Sequence, residues 1–417
     1  FVFRNGKKIA MSKESKAYKD LPKKVYIRTF GCQMNQRDSE VVKGLLLAEG
    51  YKFVDDDKAA DIILYNTCSV RQHAEDKVWS VIGKVAKLGP PSFARCTRKN
   101  MRGGNYADKK IVGVIGCMAQ NYKDEIFKRA PVVDIVCGPS NIDNIAFYLG
   151  QALRNKGAVL GADEKKRKDD IYHTGFYEDK LHAYVVISEG CDNFCSYCVV
   201  PYVRGRLRHR EHGKILKEVS DAIGQGVTSI TLLGQNVSSY ADSGVDFTQL
   251  LKTVSGIPGI KSLSFITSHP KNTRQGLFKL MAQTQVIKKQ LHLPVQSGSD
   301  RVLKAMNRGY TVKKYAEMVD QYRSLVYNGK LSTDIIVGFP KETEKDFEKT
   351  LSLVRQVKFD SAYIFKYSPR LNTKAAAYED DVLPETKQRR HAELLKLQKE
   401  ISKSKREGQS QGQEGQG

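Results

Sequence analysis

The chain has 417 residues, enough for two or three domains and a sizeable core. Lys and Arg total 69 against 46 Asp and Glu, a formal net charge of +23 that attracts polyanions, so nucleic acid is the expected partner. No apolar run is long enough to cross a membrane as a helix, and eight cysteines in a chain this large point to metal or redox use rather than a secreted disulfide scaffold.

Phe1 to Pro22 reads as a basic N-terminal extension without the apolar core of a signal peptide, and the expected setting is the cytoplasm. Val25–Phe30 is a short strand pattern. It is followed by Gly31-Cys32 and a helical pattern through Ala48. Asp61–Tyr65 is a second strand candidate, ending in Asn66-Thr67-Cys68. Ile111–Ile115 is a third, ending in Gly116-Cys117. Strand, loop and helix recur, which predicts a parallel α/β sheet over 23–160. Ligands of such sheets sit beyond the carboxyl ends of the strands, where Cys32, Cys68 and Cys117 all fall. Gly89–Lys110 is rich in Gly, Pro and basic residues and reads as an irregular surface loop; Cys96 within it has no assigned role. Cys137 ends an apolar strand and reads as a packing residue. Residues 161–176 form a charged linker.

The second domain spans 177–405. Strands are expected at Ala183–Ile187, Ser229–Leu233, Ser262–Ile266, Gln290–Leu293, Thr333–Val337 and Ser361–Phe365. Helices are expected at Ile215–Gln225, Asp300–Met306 and Glu344–Gln356. About six β/α units predict a partial or complete (β/α) barrel, whose sites lie at the carboxyl ends of its strands. Pro384–Ser404 reads as a basic helix, and the composition of 406–417 predicts a disordered tail. Heptads of a coiled coil are missing, so a monomer is expected.

Cys191, Cys195 and Cys198 form a CxxxCxxC cluster just after the first barrel strand. Soft thiolates bind iron–sulfur clusters, zinc or copper(I). A four-iron cubane takes four ligands, and this loop offers three. A structural zinc site needs a fourth ligand, for which His209 and His212 are the nearby options. Arg204, Arg206, Arg208 and Arg210 follow at once. A charge run of this kind is usually a solvated face, but its position suits RNA phosphate or an anionic cofactor. Arg308 has a weaker claim of the same kind.

These residues resemble the methylthiotransferases, a radical S-adenosylmethionine (SAM) family, and within it the MiaB type. The resemblance covers roughly Lys23 to Glu400. It rests on Thr-Phe-Gly-Cys-Gln-Met-Asn at Cys32, Asn-Thr-Cys-Ser-Val-Arg at Cys68, Gly-Cys-Met-Ala-Gln at Cys117 and the CxxxCxxC loop. Leu-Gly-Gln-Asn-Val at Gly234, His-Leu-Pro-Val-Gln-Ser-Gly at His292 and Asp-Ile-Ile-Val-Gly-Phe-Pro at Asp334 complete it. The resemblance implies two 4Fe–4S clusters, one on Cys191, Cys195 and Cys198 that binds SAM at its open iron, and an auxiliary one on Cys32, Cys68 and Cys117. It implies SAM contacts at Tyr197, Gly234, Gln235, Asn236, Gln296, Ser297, Asp334 and Gly338.

The implied reaction uses two SAM per turnover and inserts methylthio at carbon 2 of an N6-isopentenyladenosine beside the tRNA anticodon. RNA loops suit this because their bases can be splayed out. An electron donor and a sulfur or cluster donor of unknown identity are also implied. Sibling enzymes acting on threonylcarbamoyl-adenosine or a ribosomal protein, and a non-catalytic iron–sulfur RNA-binding protein, are the alternatives. Relatives usually continue into a small β-barrel RNA-binding TRAM domain, which the stretch after Glu407 does not resemble. Lys341 stands where the family more often has Gly.

Overall fold

The computed structural model describes residues 2–4, 7–9, 24–70, 72–88, 110–155, 157–163 and 169–414. Cys96, nearly all of the irregular 89–110 segment and most of the N-terminal extension lie outside them. The chain forms two compact units: Phe1–Phe30, Val42–Cys68 and His73–Arg167 make the first, and Gly31–Val41, Ser69–Gln72 and Lys168–Gly417 the second. The division at 167/168 falls inside the 161–176 linker. Residues 31–41 and 69–72 group with the second unit, although sequence order puts them in the first domain.

The first unit holds a parallel sheet of six strands: β1 (Lys24–Phe30), β2 (Lys52–Phe53), β3 (Ile62–Thr67), β4 (Ile111–Gly116), β5 (Ile135–Cys137) and β6 (Val159–Gly161), in the order β2-β1-β3-β4-β5-β6. β3 and β4 are buried at every position, as expected for central parallel strands covered on both faces. Phe30 pairs with Thr67, and Thr67 with Gly116, so three strands end level. β3 runs two residues past the apolar run because Asn66 and Thr67 are fully buried in the ladder, and the Thr67 hydroxyl donates to Ile115 O at 3.0 Å. Helix α1 (Gln33–Ala48) follows β1, and α2 (Gln72–Leu88) follows β3.

The second unit is a partial (β/α) barrel. Strands β7 (His182–Val186), β8 (Ser229–Leu233) and β9 (Ser262–Ile266) form one parallel arc; β10 (Gln290–His292), β11 (Lys330–Val337) and β12 (Ser361–Lys366) form another. A parallel bridge from Leu263 to Ile287 joins the arcs. No pairing links β7 to β12 among the described residues. In β11 burial alternates: Leu331, Thr333, Ile335 and Val337 are buried, and Ser332, Asp334 and Ile336 occupy the opposite, half-buried face. Apolar side chains of all six strands share one core with the surrounding helices, including α3 (His212–Gly224) and α4 (Glu344–Val357). The strand bounds match the sequence pattern within three residues.

Helix α5 (Pro384–Glu414) continues past 406, where composition predicts disorder. Extending a formed helix costs far less than nucleating one, and Lys, Arg, Glu and Gln are adequate helix formers.

Glu218 on α3 is fully buried between two guanidinium groups, Arg37 at 3.0 Å and Arg210 at 2.6 Å. Arg37 also meets Glu40 at 2.9 Å and donates to the carbonyls of Phe176 and Tyr172. Removing one member of a buried ion group strands the rest, at about 3–5 kcal/mol, whereas an exposed pair contributes at most about 1 kcal/mol. Glu218→Ala is therefore expected to lower unfolding free energy by about 3–5 kcal/mol in urea titrations. Lys217→Ala, which breaks the exposed Lys217–Asp221 pair on the same helix, should cost about 1 kcal/mol or less.

Candidate active site

Cys191, Cys195 and Cys198 sit in a loop that leaves the carboxyl end of β7. The loop is closed at its base by a two-residue antiparallel ladder, Ser188 with His209 and Glu189 with Arg208. Gly190 lies in the left-handed region, φ 74°, and an added Cβ would fall 2.2 Å from Arg206 O. Cys191 N donates to Gly205 O at 3.3 Å, and Cys198 N to Cys195 O at 2.9 Å. Phe194 also has φ of 45°, which a bulky residue seldom adopts. The Asn307 amide holds that turn by donating to Asn193 O and Phe194 O. Ser196 N donates to Met306 O, and its hydroxyl to Ala305 O.

Burial pushes the Cys198 thiol up to about 12, with the neighbouring Cys195 adding to the effect, and burial likewise raises Cys191. Metal binding must displace those protons. Among the described residues no three His, Cys, Asp or Glu are grouped as for one metal ion. The donor chemistry, three soft sulfurs on one shaped loop, fits an iron–sulfur cubane with one corner left for another ligand.

Cys195 has two further neighbours. Arg308, buried, places Nη1 3.4 Å from Cys195 Sγ and 3.3 Å from Tyr197 Oη. Its other nitrogens donate to Pro294 O at 2.7 Å and Tyr310 Oη at 2.8 Å. His269, also buried, has Nε2 3.9 Å from the same sulfur. Burial, reinforced by Arg308 and Lys271, pushes its pKa down to about 2. Sequence reasoning missed His269; Thr-Ser-His-Pro directly after β9 was the available signal.

Among the described residues, three buried side-chain oxygens after successive strands have no hydrogen-bond partner: Ser188 Oγ after β7, Asn236 Oδ1 after β8 and Ser268 Oγ after β9. An unpaired buried polar atom costs about 1–3 kcal/mol. A ligand with a polar head at this edge would satisfy them, so the residues fit SAM. Gly234 supports that edge, since a Cβ there would sit 2.5 Å from Ser188 Oγ. Gln235 Oε1 accepts from Gly190 N at 2.6 Å, and Asn236 Nδ2 donates to Asn272 Oδ1 at 2.8 Å. Gln296 is buried with φ of 73°, its backbone bonded to Asp334 O and Ile336 N. Asp334 faces His292, Nε2 to Oδ2 at 3.4 Å. Tyr197 packs on a cluster that contains Val302, Met306, Phe339 and Tyr367.

Two further expected cofactor contacts also have protein partners. Ser297 Oγ lies 3.5 Å from Thr350 Oγ1 and accepts from Ser299 N at 3.2 Å, so it builds the turn. Gly338 N donates to Glu342 Oε2 at 2.6 Å. The arginine run also divides. Arg204 is buried with Asp38 at 2.6 Å and Glu189 at 3.5 Å, and Arg210 is buried with Glu218. Arg308 is likewise buried among internal partners. Arg206 is exposed and stacked 4.6 Å over Phe194, and Arg208 is half-exposed.

In the first unit Cys68 and Cys117 follow register partners Thr67 and Gly116 and are nearly fully buried. Gly116 has φ of 92°, which lets the chain turn from β4 directly into the helix that starts at Cys117. Cys32 comes two residues after Phe30, and its thiol donates to Asn35 Oδ1 at 3.3 Å. Cys137 is wholly buried, its thiol 3.6 Å from Gly138 O, as a packing residue would be.

No helix among the described residues is long and apolar enough to cross a membrane. Residues 24–138 match the uncharacterized protein family UPF0004, and 185–354 the Radical SAM superfamily. The tRNA-2-methylthio-N(6)-dimethylallyladenosine synthase of Clostridium botulinum (strain Langeland) is 43% identical over 387 residues, covering 91% of this chain and 82% of its own. That of Thermodesulfovibrio yellowstonii is 40% identical over 381 residues, covering 91% and 84%. Among solved structures, the radical SAM methyltransferase TsrM from Kitasatospora setae superposes with a TM-score of 0.57 at 13% identity, covering 85% of this chain and 77% of its own. The cobalamin-dependent radical SAM enzyme OxsB gives 0.52 at 14% identity, covering 88% and 56%. At such identities the likeness concerns the fold.

The raised Cys198 thiol has a direct readout. In metal-free protein its alkylation by iodoacetamide should be at least tenfold slower at pH 8 than that of a free thiol, because the thiolate is the nucleophile. The rate should climb about tenfold per pH unit through pH 10, measured by mass spectrometry of the labelled peptide.

Proposed function

The chain belongs to the radical SAM methylthiotransferases of the MiaB type, and on that premise we propose that it converts N6-isopentenyladenosine beside the tRNA anticodon to its 2-methylthio derivative. The observation that carries this is the three-thiol loop at the carboxyl edge of a partial barrel, in a chain 40–43% identical to curated synthases over 91% of its length. Cys191, Cys195 and Cys198 hold one 4Fe–4S cluster, and Cys32, Cys68 and Cys117 hold a second. When bound, these groups supply the electron that splits SAM and the sulfur that is delivered, with two SAM used per turnover.

The chain's own residues bind and orient. Ser188, Asn236 and Ser268 offer their unpaired oxygens to the methionyl head of SAM, with Gln235 and Gln296 beside them. Burial of Cys195, His269 and Arg308 keeps water from the sulfur that carries charge. Arg206 and Arg208 contact RNA phosphate. A cytoplasmic, monomeric enzyme fits this reading.

Expression in a strain that makes isopentenyladenosine but lacks its methylthio form tests it. Nucleoside mass spectrometry of the tRNA should show the methylthio product with the wild type and none with Cys195→Ala or Cys68→Ala. Product on threonylcarbamoyl-adenosine or on a ribosomal protein would replace the substrate assignment, and no SAM cleavage under dithionite would remove the enzyme reading. Arg206→Ala should weaken tRNA binding in filter assays and reduce the log–log salt slope by about 1.

A further inference from the structure

His269 is a titratable side chain at the cluster loop that no motif explains. It lies on the segment after β9, buried, with its ring edge-on to Tyr310 at 5.8 Å between centroids. Its two ring nitrogens face different partners. Lys271 N donates to Nδ1 at 3.1 Å, and a backbone N–H can only donate. Nδ1 is therefore the acceptor nitrogen, and the ring proton sits on Nε2. Nε2 points at Cys195 Sγ, 3.9 Å away, a separation lengthened by the large radius of sulfur. The histidine is held in place as well as in tautomer: His269 O accepts from Asn272 N at 2.9 Å and from Thr273 Oγ1 at 3.0 Å.

We propose that the Nε2–H of His269 donates to the Cys195 thiolate and sets the reduction potential of the cluster held there, which makes His269 a positioning residue for electron entry. The proposal rests on the reading that Cys191, Cys195 and Cys198 hold a cluster. A hydrogen bond to a ligating sulfur stabilises the more negative, reduced state and raises the potential. Arg308 aims at the same sulfur, but it also binds Pro294 O, Tyr197 and Tyr310 and so braces several segments at once. His269 contacts the sulfur with a single neutral donor, which a substitution can remove without stranding a charge.

The test is an anaerobic EPR-monitored redox titration with dithionite on the full-length, cluster-loaded protein, following the signal that changes on SAM addition. His269→Phe should shift the reduced-to-oxidised ratio at fixed potential about tenfold toward oxidised, a midpoint about 59 mV more negative for one electron. His269→Gln, which keeps an N–H near the Nε2 position, should restore most of that shift. An unchanged midpoint in His269→Phe, or an equal fall in His269→Gln, overturns the proposal. If His269→Phe does not load, pulsed EPR of wild-type protein labelled with 15N-histidine decides. A nitrogen coupling that unlabelled protein and labelled His269→Gln lack supports the proposal, and its absence overturns it. Wild-type protein that takes up no SAM-responsive cluster instead overturns the cluster reading beneath the proposal.

Discussion

The second unit is organised around closure of the loop that carries Cys191, Cys195 and Cys198. Three cysteines within eight residues are useful only if the backbone between them is held. A two-residue ladder closes the base of the loop, and Gly190 passes so near Arg206 O that no side chain fits. The tip takes its shape from Asn307, which holds a phenylalanine in the left-handed region. The ladder in turn is fixed by Arg210, whose guanidinium holds both Val186 O, at the end of β7, and Glu218. A buried carboxylate on a helix thus sets where a loop of thiols begins.

The arginine run shows how one stretch of charge can serve two ends. The end and middle members do different work: Arg204 and Arg210 turn inward to Asp38 and Glu218, while Arg206 and Arg208 stay at the surface. The inward pair acts on stability, because a buried charge must be matched. The outward pair is exposed or half-exposed, so any attraction it exerts on an anion is screened by salt. Internal pairs of this kind cancel in the net charge of +23, but they make the 69 Lys and Arg an overcount of the cations free at the surface.

Of the three loop cysteines Cys195 is the one buried as a whole residue, and two nitrogens, from Arg308 and His269, approach its sulfur from different elements. Low polarity around a thiolate strengthens each donor that reaches it. The unpaired oxygens of Ser188, Asn236 and Ser268 follow three adjacent strands.

The fold was legible in the sequence because it rests on local rules. Strands in a parallel sheet are continuous apolar runs, and β8 and β9 fall at the residues where those runs lie. Spacing carries the CxxxCxxC cluster, since ligands within one loop must be near in sequence. Other features were decided only by tertiary structure. Ser297 and Gly338 stand in recognisable motifs, but that they bond to Thr350 and Glu342 follows from packing alone. Arg204 and Arg206 are the same residue type two positions apart, and which one is buried depends on Asp38, far away in sequence. His269 reaches Cys195 across 74 positions, and its tautomer is set by a backbone N–H two residues on. Composition and spacing record what a chain can offer locally; which group meets which sulfur depends on long-range packing, and no short window of sequence contains that.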